Sequence, residues 1–255
     1  MSNKPYKGFE PKWLLTPAPA DSYRSIFRWG DPNFFKYPKE SLYTLMKEKF
    51  QMTDDDFKAY SDDTGFDPVD LSDHPVQLAA EHIEALKKIV GEQNVSTTDY
   101  DRLSVAYGAT AYDLLRLRHK RIDSVPDVVL YPETTEQVEQ IVAYSTEHHI
   151  PLYVYGGGSS VTRGVEPVKG GISLDMRRNF NKVIKFNETD QTITVQAGMS
   201  GPKLEQTLQN AQSLFGAKRP YTCGHFPQSF EYSSVGGWTV TRGAGQNSTY
   251  YGTIA

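Results

Sequence analysis

The sequence predicts an α+β fold in which a mostly helical region precedes a mixed region with two glycine-rich loops. Up to about residue 120, apolar side chains recur at helical spacing. At Val125 the pattern changes to short buried strands, and the stretch from there to residue 212 reads β-α-β-loop-β-β-β-α. The connection after the second of these strands has no helical period, so a doubly wound sheet is excluded.

Size and charge restrict the class of protein. The chain has 255 residues, with 27 lysines and arginines against 31 aspartates and glutamates, so its formal charge is −4. This balance disfavours nucleic acid as a partner. One cysteine, Cys223, allows no internal disulfide, and no apolar run approaches membrane-spanning length. Because the start of the chain also lacks a secretory leader pattern, we expect a cytoplasmic protein.

The predicted domains are an N-terminal region over residues 1–121 and a second domain over residues 122–255. The first 38 residues are rich in aromatic residues and proline, which predicts a segment that wraps over another surface. A helix follows over Pro38–Phe50. Its apolar stripe is expected to be core and consists of Leu42, Leu45, Met46 and Phe50. The aspartates from Asp54 onward lack the spacing of a calcium loop and indicate a helix N-terminus and a solvated face.

Two longer helical patterns complete the first region. Val76–Val90 carries apolar residues at helical spacing, and Thr98–Lys120 is predicted to continue helically. The histidines here are isolated in sequence and lack metal-ligand spacing; they are His74, His82 and His119. We predict no metal site in the chain.

The mixed region begins with a strand and a capped helix. Asp127–Tyr131 is a buried-strand run, and Thr134 with Gln137 forms a capping box for the helix that follows. The helix is expected to end near His148 and His149, where such residues complement the helix dipole. Its predicted inner face consists of Val138, Ile141, Val142 and Ser145.

A strand is predicted over Gly171–Asp175, and a hairpin and a further helix follow it. Val183–Asn187 and Thr192–Ala197 are joined by a polar turn, and the second strand alternates polar and apolar residues. This alternation predicts a hairpin with one face in water. Ser200 with Pro202 opens the next helix.

The first glycine-rich loop lies where a buried strand ends. The strand over Pro151–Tyr155 leads directly into three glycines and two serines, Gly156–Ser160. Backbone N–H groups in such a run can point into one concavity, which suits a phosphate or pyrophosphate. The dinucleotide fingerprint is absent because Val161 occupies its third glycine position, and the P-loop is absent because no lysine follows Gly158 before Lys169. A tight structural turn between strands is the alternative.

The second glycine-rich element occupies Thr222–Gly252. Two clusters of small residues, Ser233–Gly237 and Thr241–Gly245, flank the apolar residues Trp238 and Val240. Small residues let two backbone turns approach one flat or anionic ligand. We therefore expect both loops to converge on the diphosphate of one bound nucleotide.

Together the two loops resemble the flavin-binding domain of the FAD-linked oxidases, the vanillyl-alcohol-oxidase or PCMH type, from about Val125 to the chain end. The segment GHFPQSFEYSSVGGWTVTRGAG more specifically resembles the alkyldihydroxyacetonephosphate synthases, and Trp29–Pro32 resembles their leading region more weakly. The resemblance implies a PCMH-type FAD-binding domain over residues 122–255. Because the family's flavin domain continues beyond this point and a substrate domain follows it, we expect the chain to be truncated.

The resemblance also implies which residues hold FAD. The residues implied to bind the pyrophosphate are Tyr155, Gly156, Gly157, Gly158, Ser159 and Ser160. Those implied to bind the ribityl chain and the edge of the pyrophosphate are Gln228, Ser229, Glu231, Ser233 and Ser234. Those implied to lie on the adenine and flavin side are Thr241, Arg242, Gly243 and Ala244. His225 matches a histidine near the isoalloxazine ring that could bind substrate or move a proton, or it could instead shape the Gly224 turn.

Two departures from relatives concern the attachment of FAD. Some relatives bind FAD covalently through a histidine shortly after the glycine loop, and no histidine lies between Gly156 and Gly171. Others use a cysteine at the position where this chain has Tyr232. We therefore predict non-covalent FAD.

The resemblance implies a parent enzyme that exchanges the acyl group of acyl-dihydroxyacetone phosphate for a fatty alcohol in ether-lipid synthesis, with FAD as electrophile or electron sink. The alternatives are an FAD-linked oxidase or dehydrogenase of a 2-hydroxy acid such as lactate or glycolate, and a non-catalytic binding module. The expected partner is a small-molecule or lipid-phosphate substrate; peripheral membrane contact and a homodimer are left open. The main catalytic residues are expected beyond Ala255.

Overall fold

The computed structural model describes residues 16–26, 39–58 and 64–254. Its helices are α1 (Glu40–Phe50), α2 (Asp54–Lys58), α3 (Ala80–Val90), α4 (Asp99–Ser104), α5 (Ala111–Arg118), α6 (Thr135–Glu147), α7 (Gly201–Gln209), α8 (Ala211–Phe215), α9 (Val235–Val240) and α10 (Ser248–Tyr251). Its strands are β1 (Val95–Ser96), β2 (Val128–Leu130), β3 (Leu152–Tyr155), β4 (Ile172–Asp175), β5 (Val183–Asn187) and β6 (Thr192–Val195). The aromatic wrap predicted for the first 38 residues lies mostly outside the described residues.

Four strands form one sheet in the order β1-β2-β4-β3. β2, β4 and β3 are parallel, and Val129 and Tyr153 both lie opposite Ser173 of the central strand. β1 is antiparallel to β2 at the edge. Helix α6 carries the chain from β2 to β3, and the glycine loop carries it from β3 back to β4 without a helix. The α+β class and the strand-to-strand loop predicted from the sequence are confirmed.

The main core lies between the sheet and helices α3 and α6. Leu86 of α3 and Ile141 of α6 are fully buried there, together with Ile172 of β4. A smaller cluster joins Val129 and Tyr155 to residues of the segment that follows α4. All four residues of β4 are buried, as expected for a central parallel strand covered on both faces.

Helix α6 begins as predicted but differs on its inner face. The Thr134 hydroxyl accepts a hydrogen bond from the Gln137 N–H at 3.2 Å, and the Gln137 side chain accepts one from the Glu133 N–H. The prediction that Val142 faces inward is wrong, since its side chain is 45% exposed. His82 of α3 contacts this helix, since its Nδ1 lies 2.8 Å from the Tyr144 hydroxyl.

The compact units of the chain differ from the predicted boundary at residue 121. One unit comprises Met1–Val69 with Leu114–Arg121, and the other comprises Asp70–Asp113 with Ile122–Ala255. Residues 70–113 belong with the sheet because they supply β1 and part of the main core. The buried Arg102 adds to this, since it donates hydrogen bonds to the carbonyl oxygens of His74 and Pro126 at 2.8 Å.

The predicted Thr98–Lys120 helix is two helices, α4 and α5. The chain between them, residues 105–110, is largely buried and non-helical. Thr110 then begins α5, where its hydroxyl accepts a hydrogen bond from the Asp113 N–H at 3.0 Å and donates one to the Asp113 carboxylate. The apolar spacing did not show this break because buried apolar residues such as Val105 and Tyr107 continue through it.

Two predictions on the first helices have opposite outcomes. None of the side chains of α1 is buried, so the prediction that its apolar stripe is core is wrong; Phe50 is 71% exposed. The acidic start of α2 is confirmed as a helix N-terminus, because Thr53 and Asp56 exchange hydrogen bonds of 2.7 and 3.3 Å. Within the described residues, no helix is both long and apolar enough to cross a bilayer.

The predicted hairpin and the helix after it are confirmed. β5 and β6 pair antiparallel, with Ile193 opposite Phe186 and with Thr192 and Thr194 exposed. Ser200 caps α7, where its hydroxyl accepts from the Lys203 N–H at 3.4 Å. The hairpin, α7 and Trp238 of α9 enclose a second core.

Candidate functional site

The glycine loop begins at the carboxyl end of β3, beside the carboxyl end of β4. Tyr155 is the last residue of β3, is 1% exposed and pairs in register with Asp175. Ligands of open parallel sheets bind outside the carboxyl ends of the strands. The strand pairing therefore places Gly156–Ser160 at the edge of the sheet where a ligand is expected.

The second glycine-rich element lies against this loop. A Cβ on Gly156 would overlap the Ser234 hydroxyl, and one on Gly157 would overlap the Tyr232 carbonyl oxygen and lie 2.5 Å from the Ser233 Cα. The two backbones approach so closely that no side chain fits between them. The structure thus brings together Gly157 and Ser233, the two segments expected to converge.

The loop offers several unpaired backbone donors. In the part of the chain that the structure describes, the N–H groups of Gly157, Gly158, Ser159 and Ser160 donate no hydrogen bond to a protein acceptor. Backbone N–H groups are strong donors that folded proteins normally satisfy. Consecutive free donors in a concave turn match the oxygens of a diphosphate, so the loop fits this part of FAD.

The far end of the loop is held by a segment that sequence reasoning did not assign to the site. The Ala109 N–H donates a hydrogen bond to the Ser160 carbonyl oxygen at 2.8 Å. Ala109 lies in the buried break between α4 and α5. The one signal in the sequence was Gly108, a helix breaker inside a predicted helix.

The serines of the second element already have protein partners. The Ser233 hydroxyl donates to the Ser229 carbonyl oxygen at 2.7 Å and accepts from the Trp238 indole N–H at 2.6 Å. The Ser234 hydroxyl caps α9 by accepting from the Gly237 N–H at 3.3 Å. Ser233 and Ser234 are buried, and they act here mainly as a wall beside the loop.

The remaining predicted residues are dispersed around this wall. Gln228 and Glu231 are exposed on the turn before α9, whereas Thr241, Arg242 and Ala244 are exposed after it. Helix α9 has six residues, which separates Ser234 from Thr241 by about 10 Å. Gly243 turns back to donate its N–H to the Trp238 carbonyl oxygen at 2.7 Å. The described contacts do not join Thr241–Ala244 to the glycine loop.

His225 lies beside Trp238. The two ring centres are 5.1 Å apart. Its Nε2 is buried and has no hydrogen-bond partner among the residues that the structure describes. Burial lowers the pKa of His225, so the neutral imidazole is favoured near pH 7. A neutral imidazole whose buried nitrogen has no protein partner can accept a proton from a bound group or donate one to it.

No metal-binding cluster accompanies these residues. Among residues 16–26, 39–58 and 64–254, no group of three or more His, Cys, Asp or Glu side chains is arranged to hold an ion. The residues described above provide backbone donors, serines, one histidine and the Trp238 ring.

Cys223, close to His225, is expected to react slowly with alkylating reagents. Its thiol donates to the His225 carbonyl oxygen at 3.4 Å, and burial raises its pKa to about 11. Because the thiolate is the nucleophile, a raised pKa lowers the reactive fraction at any given pH. We expect native protein at pH 8.5 to react with iodoacetamide about a hundredfold more slowly than urea-unfolded protein, whose pKa is about 8.5. Equal rates in both states would contradict the burial of this thiol.

Comparisons with known proteins identify the family. The profile of the family described as "FAD binding domain" matches residues 126–255, about half of the chain. The alkyldihydroxyacetonephosphate synthase of Dictyostelium discoideum is 31% identical over 183 residues, which is 71% of this chain and 28% of that protein. The mitochondrial D-lactate dehydrogenase (cytochrome) 1 of Saccharomyces cerevisiae is 27% identical over 193 residues, which is 75% of this chain and 30% of that protein.

A solved structure agrees as well. A structure of alkyldihydroxyacetonephosphate synthase superposes with a TM-score of 0.65 at 30% identity, covering 71% of this chain and 32% of that one. The chain thus spans about three tenths of the length of the relatives it matches. The resemblance to FAD-linked oxidases and to these synthases is confirmed. From the matched profile and the loop geometry together, the chain belongs to the family of FAD binding domains.

Proposed function

We propose that the chain binds FAD non-covalently through the glycine loop and that it is the flavin-binding part of an alkyldihydroxyacetonephosphate synthase-like enzyme. The observation that carries the cofactor assignment is the row of free N–H groups at Gly157–Ser160, held against Ser233 by direct backbone contact. Such a cradle needs no cation to hold a diphosphate, because convergent backbone donors supply the partial positive charge.

Each group of residues has a distinct proposed role. Tyr155 and Gly156–Ser160 hold the diphosphate, and Ser233 with Ser234 forms the wall that shapes its edge. Gln228, Ser229 and Glu231 contact the ribityl chain, and Thr241–Ala244 reaches the cofactor from the far end of α9. His225 holds or moves a proton near the flavin ring, which its buried, unpartnered Nε2 supports.

Three observations on the sequence and the structure support non-covalent attachment. No histidine lies between Gly156 and Gly171, and Tyr232 occupies the position at which some relatives carry a linking cysteine. Cys223 is a poor nucleophile because burial raises its pKa to about 11.

For the whole protein, we propose exchange of the acyl group of acyl-dihydroxyacetone phosphate for a fatty alcohol. The match to a solved synthase structure, with a TM-score of 0.65 at 30% identity, supports this over oxidation of a 2-hydroxy acid. Sequence identity alone does not separate the two, because the synthases match at 30–31% and a D-lactate dehydrogenase of Arabidopsis thaliana at 30%. When bound, FAD would supply an electron sink for the exchange.

The oxidase or dehydrogenase is the second candidate. Its supporting observation is that the chain also matches D-lactate dehydrogenases and a glycolate oxidase subunit. A cytoplasmic location, a homodimer and membrane contact stay predictions.

The proposal is tested with the protein as its gene encodes it. We expect the purified protein to show flavin absorption that appears in the supernatant after acid precipitation; flavin that stays in the pellet would contradict non-covalent binding. Alkyl-dihydroxyacetone phosphate formed from the acyl substrate and a fatty alcohol supports the synthase. Bleaching of the flavin by D-lactate or glycolate without this product supports the dehydrogenase. A protein without any flavin would favour a non-catalytic binding module.

A further inference from the structure

Arg177 lies at the base of the glycine loop and was not among the predicted site residues. Its Nε is 2.9 Å from Asp175 Oδ1 and its Nη2 is 2.5 Å from Asp175 Oδ2, so Arg177 and Asp175 form a bidentate ion pair. Asp175 is buried, and the Arg177 guanidinium carbon lies 4.7 Å from the ring centre of Tyr155. Burial lowers the pKa of Arg177, but the hydrogen bond and charge of Asp175 outweigh this and raise it. A charged guanidinium therefore covers the ring of the residue that begins the loop.

Tyr155 in turn supports the turn of the loop. Its ring is buried and packs with Val105 and Val129. A Cβ on Gly158 would overlap the Tyr155 hydroxyl and lie 2.5 Å from its Cζ, so the backbone of Gly158 rests on the end of this ring. Gly158 has a φ of +70°, in the left-handed region that favours glycine. A shift of the ring would therefore move Gly158 and the free N–H groups beside it.

We propose that Arg177 is a positioning residue for the cofactor diphosphate. Anchored on Asp175, it holds the Tyr155 ring beneath Gly158 and so keeps the loop in the conformation that presents its N–H groups. The inference rests on the proposed binding of FAD and adds a residue that acts through Tyr155 and not by touching the cofactor. Prealigned donors bind more tightly than mobile ones, because less conformational entropy is lost on binding.

The next residue provides a matched comparison. The Arg178 guanidinium carbon also lies 4.7 Å from a tyrosine ring centre, that of Tyr131, which follows β2 in the same sheet. Arg178 is exposed, and the chain beyond Tyr131 leads into α6 and not into the glycine loop. The two residues share the stacking contact, but only Arg177 is connected to the loop.

The test compares Arg177→Met, Arg177→Lys and Arg178→Met in the protein as its gene encodes it. Met keeps a long side chain but loses both the positive charge and the planar guanidinium that binds Asp175 in bidentate fashion, whereas Lys keeps only the charge. We expect Arg177→Met to weaken FAD binding about tenfold, which is about 1.4 kcal/mol, and Arg177→Lys to weaken it less. Arg178→Met should bind like the wild type. The dissociation constants are measured by flavin fluorescence titration, and urea unfolding of the FAD-free proteins reports stability.

Amide resonances of Gly156–Ser160 in the FAD-free protein give a second, independent measurement. We expect them to broaden or split in Arg177→Met and to match the wild type in Arg178→Met. Unchanged resonances and unchanged FAD affinity in Arg177→Met would overturn the positioning role. Equal losses of affinity in Arg177→Met and Arg178→Met would overturn it as well. A wild-type chain that binds no FAD while the resonances respond to Arg177→Met would overturn the proposed cofactor and leave the positioning of the loop supported.

Discussion

Replacing Gly157 by alanine is expected to weaken FAD binding at least about 100-fold. The added Cβ would overlap the Tyr232 carbonyl oxygen and lie 2.5 Å from the Ser233 Cα, and backbone atoms cannot move aside as a flexible side chain can. The glycine loop must then shift away from the second element, which misaligns its N–H groups with the diphosphate. Losing two hydrogen bonds to a charged group costs about 3 kcal/mol, enough for this change in affinity. Fluorescence titration with FAD measures it.

Gly164→Ala is the matched control, since Gly164 lies in the same connection between β3 and β4. Gly164 has no left-handed φ, and the nearest atom to an added Cβ is 4.0 Å away. We expect this variant to bind FAD as the wild type does. Wild-type affinity in Gly157→Ala, with the fold retained by circular dichroism, would show that the close approach of the two elements is not needed for the cofactor.

Asp127→Ala is expected to lower the free energy of unfolding by about 3 kcal/mol. The Asp127 carboxylate is buried and accepts hydrogen bonds from the Gln77 N–H and the Gly171 N–H, both at 2.6 Å. Alanine leaves these two N–H groups without their charged acceptor. Because Gln77 precedes α3 and Gly171 directly precedes β4, the loss also loosens residues 70–113 from the sheet. Urea unfolding followed by circular dichroism measures the change.

The control for this prediction is Asp73→Ala. Asp73 lies in the same segment as Gln77, but its side chain is exposed. Removing an exposed carboxylate usually changes stability by less than about 0.5 kcal/mol. A similar loss in both variants, or no loss in Asp127→Ala, would contradict the role of Asp127 as the link between the two segments.

The features that the sequence predicted correctly depend on short stretches of chain. The Thr134 cap, the hairpin at residues 183–195 and the run of glycines after Tyr155 are each specified by neighbouring residues, through capping, alternation and backbone freedom. The same local reasoning is wrong for α1, because helical spacing shows which side chains share a face but not whether anything covers that face. It also missed the break between α4 and α5.

The sequence likewise predicted some parts of the candidate site and missed others. Residue types identified the two loops, and the resemblance to known proteins identified the family, but no pattern indicated Ala109, Arg177 or Asp175 as supports of the glycine loop. Ala109 reaches Ser160 from about fifty residues away through a backbone hydrogen bond that any residue type could make. Arg177 acts through stacking on Tyr155, which requires β3 and β4 to be neighbours.

By itself, the sequence determined that this chain has a strand leading into a glycine-rich loop, a second glycine-rich element, and a resemblance to the FAD-linked oxidases. Only the tertiary structure decided that Gly157 and Ser233 touch, that residues 70–113 belong with the sheet, and that Arg177 lies beneath the loop. The physical reason is range: helix caps, strand alternation and glycine turns act between near neighbours. Strand order and backbone contact between distant loops, in contrast, are set by how the whole core packs.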